Sequence, residues 1–157
     1  MTMPEKTAKA EPMKFAIDQA IIAESRGEVP VGAVIMDSVT KEIIASAHNL
    51  TETLTDPTAH AEILAIREAC HKLKSPRLNH CDMYVTLEPC PMCAQAISFA
   101  RIRRLYFGAY DIKGGGVENG ARLFHQSTCH HKPEIIGGME ETLCAGLLKK
   151  FFAGKRQ

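Results

Sequence analysis

Two short segments constrain this 157-residue chain more than any others: Asp56-Pro57-Thr58-Ala59-His60-Ala61-Glu62 and Pro89-Cys90-Pro91-Met92-Cys93. Between them they carry an imidazole, two thiols and a carboxylate, and a fold that puts these groups to use must bring both segments to one point. His60, Cys90 and Cys93 form a nitrogen–sulfur ligand set suited to zinc. Three protein ligands leave the fourth tetrahedral position open, the mark of a catalytic rather than a structural zinc. Glu62 lies too close to His60 in sequence for both easily to bind one ion. It is better placed to handle protons beside a metal-bound water.

Local patterning puts both segments at helix starts. Asp56 is expected to cap a helix with Pro57 in its first turn, buried along Ile63, Ile66, Ala69, Cys70 and Leu73. His60 and Glu62 then project from that first turn. A second helix is expected to open at Cys90 and Pro91 and to run through Ala94, Ile97 and Ala100. Thiols at a helix N-terminus feel its positive pole, which favours the thiolates zinc requires.

Around these segments, apolar residues at 13, 16, 17, 20 and 21 predict an amphipathic helix over 13–26, stopped by Gly27. Strands are expected at 29–36 and 43–47, joined as a hairpin through 37–42, and at 82–87, 105–109 and 133–136. A short helical turn fits near 121–124. A closing helix over 140–152 would place Leu143, Leu147, Leu148 and Phe151 on one side. Strands alternating with helices after an initial hairpin argue for an α/β sandwich with a mixed five-stranded sheet. Residues 1–12 read as a flexible tail and 13–157 as one domain.

Hydrophobic residues at 45% and charged ones at 24% are those of an ordinary globular chain, and no apolar run approaches the roughly 18 residues of a membrane span. The polar N-terminus has no secretory apolar core, so a cytoplasmic location and reduced cysteines are expected. The net charge of +1 does not announce a nucleic-acid binder. Arg101, Arg103 and Arg104 cluster after the second motif, and Lys149, Lys150, Lys155 and Arg156 near the C-terminus. Cations at solvated helix ends explain either cluster.

A lone Cys-x-x-Cys fits half a structural zinc site or a redox pair, and a lone His-x-Glu means little. Their conjunction, His-x-Glu followed by a strand and then Pro-Cys-x-x-Cys, is the signature of zinc nucleobase deaminases. Zinc lowers the pKa of water from 15.7 to about 7, making hydroxide available at neutral pH. Glu62 would take the water proton, deliver it to a ring nitrogen of the base and later protonate the departing ammonia. Among weaker candidates, Cys129-His130-His131 could ligate a second metal but has no fourth ligand nearby. Cys70, Cys81 and Cys144 are most simply small buried hydrophobes, and His71 and His80 surface residues. His48 is ambiguous, whereas the Asn49 amide can read a donor–acceptor pair on a base edge.

Beyond the zinc motif, 29–35 (Val-Pro-Val-Gly-Ala-Val-Ile), Ala47-His48-Asn49, 56–63 and 84–93 resemble the bacterial tRNA-specific adenosine deaminases. Arg101-Ile102, Phe107-Gly108-Ala109, Asp111-x-Lys113 and Phe151-Phe152 continue the resemblance over nearly the whole chain past residue 12. It implies a cytidine-deaminase-like three-layer α/β/α sandwich that converts the wobble adenosine of a tRNA anticodon loop to inosine. It also implies one zinc per subunit on His60, Cys90 and Cys93, Glu62 as proton shuttle, and a homodimer with sites near the interface. Asn49 matches the family's base-binding asparagine. Lys113 and Phe152 match positions on the substrate side, Phe152 beside the nucleotides that flank the flipped base. After Asp111-x-Lys113 the family's Gly-Ala-x-Gly-Ser type of loop is replaced by Gly114-Gly115-Gly116-Val117-Glu118-Asn119-Gly120.

Two other readings use the same residues. A deaminase of a free base or nucleotide (guanine, cytosine or deoxycytidylate) would turn over a small substrate and leave an RNA stem-loop alone. A zinc-stapled binding module would depend on zinc for stability and release no ammonia. Glu62 beside an open metal position counts against the module, since a structural staple needs neither.

Overall fold

The computed structural model of the chain describes residues 5–155. Its order is α1 (Glu5–Ser25), β1 (Gly32–Asp37), β2 (Ile43–His48), α2 (Ala61–Leu73), β3 (Cys81–Leu87), α3 (Pro91–Ala100), β4 (Arg104–Ala109), a 3₁₀ turn (Leu123–His125), β5 (Glu134–Ile136) and α4 (Glu141–Lys155). The strands lie in the order β2-β1-β3-β4-β5. β1 is antiparallel to β2 and β3, whereas β3, β4 and β5 run parallel. This is the mixed five-stranded sheet that the alternation of elements predicts.

Successive strand residues point to opposite faces, and both faces here are apolar. Ala33 and Ile35 of β1, Met83 and Val85 of β3, and Leu105 and Phe107 of β4 pack with α2 and α3. Val34, Met36 and Tyr84 face the other way, onto Met13, Ala16 and Ile17 of α1 and Cys144 of α4, and Ala109 joins that cluster at the end of β4. Helices on both faces make the expected α/β/α sandwich. Gly32 is where α1 lies flush on the sheet. A Cβ there would overlap the Ala16 carbonyl oxygen and come within 2.7 Å of Ala20 N.

The hairpin forms as expected. Asp37 Oδ1 accepts the N–H groups of Val39 (2.8 Å) and Thr40 (3.0 Å), while Lys41 takes the left-handed conformation that closes the turn. Gly27, at φ +76°, ends the first helix.

Three helices depart from expectation. α1 begins at Glu5, so its backbone helix runs through most of the stretch read as a tail; Lys, Ala and Glu there are strong helix formers. Residues 1–4 of that stretch lie outside the described residues. α2 starts at Ala61, not after Asp56. Asp56 Oδ1 instead binds the Thr58 N–H (2.9 Å) and hydroxyl (2.7 Å), a local turn that competes with helix. The buried stripe of α2 is Ala61, Glu62, Ala65 and Ala69, small residues that let it approach the sheet, and Leu73 faces solvent. On α4 the fully buried residue is Cys144, and Leu143 is half exposed. No helix of the described residues is long and apolar enough to cross a membrane.

Candidate active site

The parallel pair β3–β4 sends α3 back across the face that α2 also covers, so the two helix N-termini converge at one end of the sheet. His60 is the N-cap residue of α2 and Cys90 that of α3, both with extended backbone and neither capping its helix through its side chain. Their polar atoms are thus free to meet. His60 Nδ1 lies 3.6 Å from Cys90 Sγ and 3.4 Å from Cys93 Sγ, and the ligand atoms of the three residues all lie within 4.8 Å of one another. One nitrogen and two sulfurs at this spacing fit one zinc ion. Among the described residues this is the group of three or more potential ligands so arranged.

The electrostatics favour such an ion. The Cys90 thiolate, hydrogen-bonded by the Cys93 thiol and against the cost of burial, is held down to about 4, with His60 adding to the effect. The same bond, together with burial, pushes Cys93 upward. The pair thus keeps one proton between two sulfurs, and the hydrogen bond to Cys90 raises His60. A cation would displace that shared proton. Glu62, in the first turn of α2 and only 4% exposed, is pushed up to about 7, chiefly by burial.

Beside this centre lies a pocket of about 290 Å³, walled by Val29, Val31, Asn49, Thr51, Leu87, Glu88, Asp111 and Gly114 and floored by His60, Ala61, Glu62 and Cys90. Asn49 is buried, its backbone N–H bound to the Val31 carbonyl and its Nδ2 3.4 Å from Thr51 Oγ1. His48 points elsewhere, to Gln19 (3.0 Å) and Arg26 (3.4 Å). Burial, with Arg26 beside it, lowers its pKa.

The remaining candidates are dispersed. Lys113 is exposed on the loop whose neighbours Asp111 and Gly114 reach the pocket. Phe152 is half exposed on α4, in a separate groove of about 300 Å³ with Leu148, Lys149 and Ala153. Cys129-His130-His131 gathers no ligand set. Cys129 Sγ contacts Ser98 Oγ (3.4 Å), Ser98 Oγ donates to the His131 carbonyl (2.8 Å), and His131 Nε2 meets the Ile102 carbonyl (2.7 Å), which pins this segment to the end of α3. Arg103 and Arg104 are tied up in ion pairs with Asp82 (2.7 Å) and Glu134 (2.6 Å).

Two buried acids went unread in the sequence. Glu28 accepts the N–H groups of Glu52 (3.2 Å) and Thr53 (2.6 Å), securing the loop that follows Asn49. Glu88 does the same for 111–119, and although its burial would raise its pKa, the bonds from Asp111, Asn119, Glu118 and Val117 hold it low. The available signal was an acid set directly against Pro-Cys at the end of a buried strand.

An α/β/α sandwich with a His-Cys-Cys centre, a buried glutamate beside it and an adjoining base-sized pocket defines the zinc-dependent deaminase class. The sequence model for the cytidine and deoxycytidylate deaminase zinc-binding region matches residues 6–109. The chain is 54% identical to the tRNA-specific adenosine deaminase of Agrobacterium fabrum over 92% of its own length and 93% of that protein's. A solved structure from work on A-to-I editing by tRNA:A34 deaminases at the wobble position superposes with TM-score 0.84 at 53% identity, covering 88% of this chain and 99% of that one. Guanine deaminase from Bacillus subtilis superposes at 0.61 with 39% identity, covering 69% of this chain and 66% of that one. The chain belongs to the zinc-binding cytidine and deoxycytidylate deaminase family, and within it to the branch of the tRNA-specific adenosine deaminases.

Proposed function

We propose that this protein deaminates adenosine to inosine at the wobble position of a tRNA anticodon loop, in the cytoplasm, with α1 through α4 acting as one deaminase domain. The observation that carries this reading is the high identity, over nearly the full chain, to relatives named for that activity. The weaker and shorter match to a guanine deaminase is the support for a free-base substrate, and it is the lesser of the two.

His60, Cys90 and Cys93 would hold zinc, which when bound lowers the pKa of water to about 7 and supplies a nucleophile at neutral pH. Water adds at the ring carbon bearing the amine, the C–N bond breaks, and ammonia leaves. Glu62 accepts the first water proton and passes it to the ring nitrogen, then takes the proton of the hydroxyl added to the ring carbon and delivers it to the leaving amine; its place in the pocket lining suits these transfers. Asn49 presents its amide to the base edge from the buried wall. Apolar Val29, Val31 and Leu87 offer the ring a dry surface. The wobble base must leave its stack to enter, which costs least in a single-stranded loop. Lys113 and Phe152, both exposed, are placed in this reading against RNA outside the pocket.

The test is an inosine assay on zinc-loaded protein. An anticodon stem-loop with adenosine at the wobble position is expected to gain inosine, while guanine and cytidine in parallel reactions stay unchanged. Ammonia from a free base with intact RNA would transfer the protein to the second reading. We also propose a homodimer, supported by two large apolar side chains that α3 leaves exposed, Met92 between the metal ligands Cys90 and Cys93 and Phe99 near the end of the helix. Sedimentation is expected to give twice the 17.3 kDa chain mass, and a single-chain mass would reject the pairing.

A further inference from the structure

The pocket wall formed by 111–120 has no helix or strand of its own, yet it hangs on a single buried side chain. Glu88 is 2% exposed and accepts five hydrogen bonds from this one segment. Its Oε1 takes the Asp111 N–H (3.0 Å) and Asn119 Nδ2 (2.7 Å). Its Oε2 takes the N–H groups of Val117 (3.1 Å), Glu118 (2.9 Å) and Asn119 (3.1 Å). The loop adds one bond back to the strand end, from Gly116 N–H to the Pro89 carbonyl (2.8 Å).

The loop sequence is built for this contact. A Cβ at Gly115 would come within 2.5 Å of Glu88 Oε2, and one at Gly116 within 2.6 Å of Pro91 N. The triple-glycine stretch therefore permits an approach that larger residues would block. Glu88 precedes Pro89-Cys90, so one strand end holds both a metal ligand and the opposite pocket wall. A carboxylate whose two oxygens together accept five hydrogen bonds from one segment is a strong and directional anchor. Nothing in the deamination chemistry needs Glu88 as a proton carrier.

We infer that Glu88 is a positioning residue for the substrate: with Asn119 it holds the 111–120 loop as a preformed wall, setting where Asp111 and Gly114 meet the flipped nucleotide. This rests on the RNA deaminase reading above. Preorganising the wall lowers the ordering cost on binding, so its loss should fall on substrate affinity more than on the chemical step.

The experiment compares Glu88→Gln with the wild type on the anticodon stem-loop. The variant replaces one accepting oxygen by an amide facing donors, so KM is expected to rise about tenfold while kcat stays within about threefold. Zinc stays at one per chain. Hydrogen exchange at the amides of Asp111, Val117 and Glu118 is expected to accelerate. Adding Asn119→Asp gives the new amide an acceptor and should recover part of the lost affinity. Asn119→Ala, which deletes only one arm of the tether, covers the case in which Glu88→Gln does not fold; its KM should rise about threefold. Unchanged KM in Glu88→Gln, or in Asn119→Ala where that variant stands in, overturns the proposal. Activity lost only in step with zinc overturns it too. A wild type inactive on RNA would defeat the substrate reading instead, while the amide exchange still tests the tether.

Discussion

Glu62→Ala is expected to leave one zinc per chain and to cut stem-loop deamination by at least about a thousandfold, since a positioned acid–base group contributes roughly 10² to 10⁴ and Glu62 serves several transfers. The carboxyl is buried beside the metal ligands yet is not one of the three atoms grouped around the ion position. Its removal therefore takes away proton transfer and leaves the ligands in place. Folding should not suffer, because burial already disfavours its charge. Metal analysis and inosine formation on the same preparation decide the matter. Loss of zinc together with activity would make Glu62 a structural residue.

Cys93→Ala is expected to do the opposite, abolishing metal retention and activity together. Cys93 sits fully buried in the first turn of α3, facing His60 Nδ1 across 3.4 Å. Without it, one nitrogen and one sulfur remain, too few to close a zinc site. Zinc affinity should fall by more than the roughly 10- to 100-fold that follows loss of an outer-sphere partner. Binding energy is also folding energy, so the variant should melt at a lower temperature than the zinc-loaded wild type. Cys129→Ala supplies the contrast. Cys129 contacts Ser98 and the His131 carbonyl rather than the metal group, so zinc content should be unchanged. A metal-retaining Cys93→Ala, or a metal-free Cys129→Ala, would refute this assignment of ligands.

Much of this site could be read from local sequence. Pro91 after Cys90 marks a helix start, because that signal acts over a few residues, whereas the run expected as a strand from Val29 pairs only from Gly32, with Val29 and Val31 lining the pocket ahead of it. Longer-range packing was less legible. Of the expected stripe on α2, Ala69 is buried and Ile66 and Cys70 pack against the core, but Leu73 faces solvent and Ala61 and Ala65 make the deepest contacts with the sheet. Hydrophobicity alone favours the larger side chains, whereas a close helix–sheet contact favours small ones. Asp56 looked like a helix cap, but its carboxylate found Thr58 within the preceding turn. The arginines after α3 suggested a solvated helix end, and two of them proved to be committed to Asp82 and Glu134 on neighbouring strands.

Local sequence marks out which side chains could ligate one zinc ion, which carboxylate is suited to proton transfer, and where both ligand segments open helices. These follow from residue type and short spacing, which tertiary context does not alter. Long-range packing arranges what surrounds them. It turned Glu88 into the anchor of a pocket wall, placed Asn49 in the pocket and His48 outside it, and set Phe152 on a separate groove. Each of those outcomes depends on contacts between residues far apart in the chain. Such contacts are governed by strand order and by how closely helices approach the sheet, and no local pattern encodes either.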